Sequence, residues 1–428
     1  MSKQILNDLR QLINAQVITE ETAQKIKEYY KTQPTQSSNR LFVVFAILGS
    51  LLVGLGIVLI LAHNWDQLSK GFKLAVGSLP LLAAQVLAGF VLIKRVEGVA
   101  WREASGTFLF FAIAICISIV SQVYNIEGDL AGFLLTWMYL ALPIAYVMRS
   151  SFASLLFIMG ITWYACEVGY FNYPNTNAPS YWILLLLILP FYYLEFIRKN
   201  IRNNFFHFHS WFLVLSVTIC LGVFAGDSSE YMMIAYMSLF SGFVMMGQFR
   251  LFASHRVLGN AYLVCGSLGV IILLLTLSFR WYWEELPGIT ADFFSQPEII
   301  VSILLTIASI ALLTRLAQIK KWEELNSKSY AFLLLIGLFF IGTPSPLAAQ
   351  ILVNLIILLV AVHTIYDGAQ QNHLGILNYG LVIISVLIGC RFFDTNFSFV
   401  IRGLLFIAIG AGFFIANYYM LQRRKKGI

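Results

Sequence analysis

The chain has 428 residues, 59% hydrophobic and 11% charged, with a net charge of +7. Soluble domains carry about 25% charged residues, so this chain cannot keep a soluble surface, and lipid is its expected solvent. The basic balance does not point to a nucleic-acid partner, because the charges sort by membrane side.

At the N-terminus, Ile5, Leu9, Leu12 and Ile13 recur at helical spacing, followed by Val17 and Ile18. Thr19 then suits an N-cap, with Glu20 and Glu21 at the positive end of a helix reaching Lys31. A polar linker, Thr32 to Asn39, follows. Residues 1–39 are therefore expected to form a cytoplasmic helical appendage and linker. A segment this small buries little core alone. It contains no apolar core of a signal peptide, so the run beginning at Leu41 is expected to direct insertion.

From there apolar runs repeat, each long enough to cross about 30 Å of hydrocarbon. The expected spans are about 41–62, 72–93, 104–124, 130–148, 151–171, 180–197, 206–225, 230–247, 256–279, 298–318, 329–343, 347–366, 374–390 and 399–421. The fold class is thus all-α, a polytopic transmembrane helix bundle of about 14 spans over residues 40–422, with a basic cytoplasmic tail at 423–428. The run 329–343 is short enough to be re-entrant. Ser50 and Gly54, and likewise Ala408, Gly412 and Ala416, are spaced for close helix contacts.

Orientation follows from Lys and Arg, which concentrate in cytoplasmic loops. With the N-terminus inside, only Lys70, Lys73, Arg280, Arg391 and Arg402 fall outside, five of the 28 Lys and Arg residues. Both termini are then cytoplasmic.

The unusual polar residues gather on the outer side. His63-Asn64-Trp65-Asp66 follows the first span. Asn64 can cap an interfacial helix and Trp65 can sit in the aromatic belt, or Asp66 can be a site residue. Between spans three and four come Gln122, Tyr124, Asn125, Glu127 and Asp129. Asp129 suits a helix cap, but Gln122 and Tyr124 have no such simple role. Glu167 lies near the outer end of span five, where a carboxylate either snorkels or serves a function. Together Asn64, Trp65, Asp66, Gln122, Tyr124, Glu127, Asp129 and Glu167 make a candidate extracytoplasmic polar site. Arg391, Asp394 and Arg402 bracket the last outer turn, as a structural ion pair or as an anion site.

The five cysteines all fall in apolar runs without metal-ligand spacing, so no metal, cofactor or disulfide framework is expected. The deep interior holds amides and hydroxyls, among them Gln85, Asn260, Tyr262, Gln350 and Asn354. Its lack of charge weakens a proton-relay reading.

His63-Asn64-Trp65-Asp66 after a Gly-rich first span, Gln122-Val123-Tyr124-Asn125 before Gly128-Asp129, Trp137, Pro143 and Arg391-Phe392-Phe393-Asp394 resemble a bacterial family of predicted membrane proteins, domain of unknown function 2157. The resemblance implies a bacterial cytoplasmic membrane location and supplies no activity. Three functions stand open. The first is a transporter or flippase for an amphipathic or envelope-related substrate. The second is a membrane enzyme at the outer leaflet, using paired carboxylates from Asp66, Glu127, Asp129 or Glu167. The third is a sensor or scaffold. The expected partner is the lipid bilayer, with no nucleic acid; homo-oligomerisation stays open.

Overall fold

The computed structural model describes residues 9, 12–32, 67–171, 177–197, 204–226, 229–253, 259–286, 293–321, 325–342, 344–371 and 373–394, with scattered positions between 400 and 418. Among the described residues all regular structure is helical, with no strand. The chain forms two compact units, residues 1–76 and 77–428.

In the first unit, α1 runs from Glu20 to Thr32. Its start follows from side-chain chemistry. The Thr19 hydroxyl accepts the Thr22 amide at 3.3 Å, and Glu20 and Glu21 sit at the positive end of the helix. Ala23 and Leu9 are the buried apolar residues here.

The second unit is a helical bundle entered through α2 (Lys70–Lys94), within which the division between the units falls. It continues through α3 (Val99–Tyr124), α4 (Leu130–Met148), α5 (Ser151–Cys166), α6 (Pro179–Tyr192), α7 (Asn204–Leu221), α8 (Met232–Gln248), α9 (Ala261–Leu277), α10 (Pro297–Ile319), α11 (Ala331–Gly342), α12 (Pro346–Gln370) and α13 (Leu374–Asp394). A helix therefore stands at each expected span from 72–93 to 374–390. The first expected span and more than half of the last lie outside the described residues. Eight described helices are long and apolar enough to cross a membrane, and three more are shorter, α11 with its preceding turn among them.

Local chemistry sets the helix ends. Proline opens α6, α10 and α12, where its missing N–H costs nothing. Asn125 closes α3 in the left-handed region, φ 48°, which Asn tolerates. The Glu103 carboxylate of α3 accepts from Ser150 Oγ at 2.6 Å and from the Ser151 and Phe152 amides at 2.9 Å. A negative charge thus meets the free amides that open α5.

The core is organised around α8. Every residue from Met237 to Met245 is buried, a run longer than two helical turns, so no face of α8 is left to solvent or lipid. It packs most heavily on α9 and α10, and also on α11. Toward α10 the contact is a hydroxyl ladder: Ser238 shares a hydrogen bond with Thr306 at 3.0 Å, and Ser309 donates to the Ser238 carbonyl at 2.7 Å. Toward α9 the backbones nearly touch at Gly266, where a Cβ would stand 2.6 Å from the Phe240 carbonyl oxygen. Gly247 of α8 makes the reciprocal approach, where a Cβ would stand 2.7 Å from the Leu263 amide nitrogen. Of the small residues expected to mark contacts, Gly412 meets nothing within 4 Å, and Ser50, Gly54, Ala408 and Ala416 lie outside the described residues.

Candidate functional site

α5 does not end as an α-helix. From Glu167 to Phe171 the backbone widens into a π turn, a departure that gathers at functional sites. Gly169 lets this turn lie against the end of α7; a Cβ there would be 2.5 Å from the Val223 side chain. α7 itself tightens into a 3-10 turn, Gly222–Phe224. Where helix geometry changes, carbonyls need other donors. The Tyr170 hydroxyl donates to the Ile219 carbonyl at 2.6 Å, and the Tyr236 hydroxyl to the Thr218 carbonyl at 3.1 Å.

One turn further into the bundle, a chain of hydroxyls crosses three helices. Thr162 of α5 donates to its own Ile158 carbonyl at 2.7 Å and shares a hydrogen bond with Ser216 of α7 at 2.6 Å. Ser216 shares another with Tyr181 of α6 at 2.7 Å. Tyr181 is fully buried. Buried hydroxyls in apolar surroundings satisfy one another in this way.

Thr162 and Ser216 stand at the base of a groove between α5 and α7, about 370 Å³ in volume. That falls within the range of small-ligand sites, about 300–1,000 Å³. Met159, Trp163 and Phe171 wall one side, Leu215 and Ile219 the other. The groove opens along the outside of the bundle, where Trp163 and Met159 are each 51% exposed. Thr162, Ser216 and Cys166 are its polarisable groups. The surface is therefore apolar along its length, the chemistry of a seat for an apolar chain.

Glu167 begins the π turn and is half-buried at the mouth of this region. Its carboxylate makes no hydrogen bond or ion pair among the described residues. α4 and α5 are joined by Arg149 and Ser150 alone and pack side by side, and the π turn packs on α4. The start of α4 and the end of α5 thus lie at the same end of this hairpin. Asp129 is the α4 cap there, its Oδ1 accepting the Gly132 amide at 2.8 Å. Gln122, Tyr124 and Glu127 are exposed beside it. The structure brings Glu167 and the 122–129 connection to one end of one helix pair. Asn64, Trp65 and Asp66 lie outside the described residues.

Arg391 is placed at the C-terminus of α9. Its Nη2 donates to Ser278 Oγ at 3.1 Å, and its guanidinium lies 4.6 Å from the centre of the Phe279 ring. A cation suits that negative helix end. Asn354 joins it, donating to the Ser278 carbonyl at 3.2 Å. The Asp394 side chain and Arg402 lie outside the described residues. Among the described residues no group of three or more His, Cys, Asp or Glu is placed to hold a metal.

Sequence reasoning singled out Glu167 but not Thr162, Ser216 or Tyr181. Isolated Ser, Thr and Tyr inside apolar runs carry no spacing signal, because their meeting depends on how three helices dock.

Residues 10–154 match the family described as "Predicted membrane protein (DUF2157)". The match covers α1 to α4 and the first residues of α5. Over 73 residues the chain is 34% identical to an uncharacterized MFS-type transporter of Mycobacterium tuberculosis, found in strains CDC 1551 / Oshkosh and ATCC 25618 / H37Rv. That stretch is 17% of this chain and spans only 17% of the length of those relatives. No solved structure matches. The protein is a membrane protein with multiple apolar helices.

Proposed function

We propose that the protein is a transporter of the flippase kind, which moves an amphipathic substrate by seating its apolar chain in the α5–α7 groove. The groove carries this reading: its apolar walls open sideways toward lipid, and Thr162 and Ser216 at its base are tied through the buried Tyr181 to α6, which keeps the groove in shape. The headgroup enters at the π turn, where Glu167 and the 122–129 connection share one end of the α4–α5 hairpin. Elsewhere in the bundle Arg391 ties α13 to the end of α9 through Ser278 and Phe279. The short likeness to an MFS-type transporter is consistent with carriage across a bilayer. The test is translocation of a headgroup-labelled phospholipid by the reconstituted protein, lost on filling the groove with Leu215→Trp.

The same reading places the chain in the bacterial cytoplasmic membrane with fourteen crossings and both termini inside. The asymmetry of Lys and Arg supports this. Gly128 and Glu97 are exposed in connections at opposite ends of α3. In a background stripped of native cysteines, Gly128→Cys reacts with an impermeant thiol reagent added outside the cell, and Glu97→Cys does not. Labelling of the second and not the first inverts the topology.

A further inference from the structure

Between α10 and α11 the chain makes a 3-10 turn, Ser327–Tyr330. Lys328 on this turn is only 3% exposed. The turn is held from three sides. Gln248, the last residue of α8, donates through Nε2 to Ser329 Oγ at 2.7 Å, and its Oε1 accepts the Asn326 amide at 3.0 Å. The Lys328 amide donates to Asn326 Oδ1 at 3.1 Å. The Lys328 ammonium reaches Thr364 Oγ1 of α12 at 3.3 Å and lies 5.6 Å from the centre of the Tyr379 ring of α13.

An ammonium has three protons to donate, and among the described residues one hydrogen bond engages this one. Lys328 makes no ion pair among the described residues. The charged groups around it are few. α12 offers Asp367, one turn beyond Thr364, which raises the lysine's proton affinity, but this carboxylate is bonded to His363 Nδ1 at 3.0 Å. α8 presents the neutral amide of Gln248. α13 presents the Tyr379 phenol, whose hydroxyl is spent on the Ser267 carbonyl of α9 at 3.1 Å, and the turn itself adds Tyr330. A buried charge without a counter-ion is strongly unfavourable, and an apolar residue of similar volume is often better in its place. The seat thus suits the neutral amine better than the ammonium. Burial pushes the Lys328 ammonium down to about 8.

We propose that Lys328 is a proton-binding site, and that taking up a proton there releases the 327–330 turn from α8, α12 and α13. The neutral amine keeps the turn seated. The protonated amine is drawn toward water, and the turn that links α10 to α11 leaves with it. The inference goes beyond the α5–α7 groove and does not depend on it.

The test uses the full-length protein in lipid nanodiscs, in a background without native cysteines. Ser329→Cys places a thiol at a fully buried position on the turn. Its reaction with an impermeant methanethiosulfonate is compared with the same thiol in a Lys328→Met background, which cancels the thiol's own ionisation. The expected ratio is several-fold above one at about pH 6.5 and falls toward one at about pH 9.5, between the folded and unfolded lysine values. Thermal stability gives a second reading on the protein with Ser329 intact. The unfolded chain holds the lysine proton up to its ordinary value, so wild-type stability rises with pH above about 8, whereas Lys328→Met shows no such rise and exceeds the wild type at the acidic end. Lys328→Gln serves in place of Met if Met fails to insert. A labelling ratio of one at every pH, with parallel stability profiles, overturns the proposal.

Discussion

Gly266→Leu is expected to leave no monodisperse protein in detergent. α9 meets α8 so closely here that even a Cβ would stand 2.6 Å from the Phe240 carbonyl oxygen and 2.7 Å from the Val244 amide nitrogen. Both are backbone atoms of α8, and α8 is buried on every face, so it cannot step aside without disturbing α10 and α11. Overpacking typically costs about 1–3 kcal/mol, and more when backbone must move. That is a large share of the roughly 5–15 kcal/mol that holds a fold together. Gly266→Ala should already lower the melting temperature, with Leu lost to aggregate in size-exclusion chromatography. A monodisperse Leu variant melting with the wild type would mean that α8 and α9 do not approach at this residue.

Glu103→Ala should be the second most damaging substitution, although Glu103 is remote from the groove. Its carboxylate holds three hydrogen bonds at the start of α5, one to a hydroxyl and two to backbone amides. A hydrogen bond to a charged group contributes about 1.5–3 kcal/mol. Ser150 still caps the Ala153 amide at 3.1 Å in the variant, so the helix start is weakened and not lost. A loss of about 2 kcal/mol is expected in a detergent thermal or denaturant series. Glu103→Gln keeps an acceptor but loses the charge, and should fall between. Equal stability of all three proteins would show that this cap is not formed.

These two residues mark where the sequence is legible and where it is not. Apolar runs place α2 to α13 because each run answers to lipid alone, a local demand. Thr19 is readable as a cap for the same reason: donor and acceptor are three residues apart. Glu103 and Ser151 are far apart in the chain, and no local pattern joins them. Lys328 reads as one more basic residue in a polar link, since Asn326, Ser327 and Ser329 surround it. Its burial comes from α8, α12 and α13, which the sequence does not set side by side. Arg391 is open to pairing with Asp394 by spacing, but spacing does not register its contacts with Ser278 and Phe279 at the end of α9, 113 and 112 residues away. The groove is illegible for a further reason. Its base needs Thr162 and Ser216 to meet over the buried Tyr181, and its mouth needs α5 to widen into a π turn, which hydrophobic periodicity does not register.

The reading of the protein as a carrier of amphipathic molecules is tested most directly by lipid translocation in proteoliposomes. A phospholipid with a fluorescent headgroup is distributed over both leaflets, and dithionite is added outside. Without translocation the reductant bleaches the outer leaflet alone. With the wild-type protein, the inner-leaflet signal is expected to follow the outer one to near completion. Leu215→Trp, which fills the groove from α7 while leaving the Thr162–Ser216–Tyr181 chain in place, should return the trace to that of protein-free vesicles. Wild-type vesicles that retain the inner-leaflet signal, in the same way as empty ones, would contradict the account.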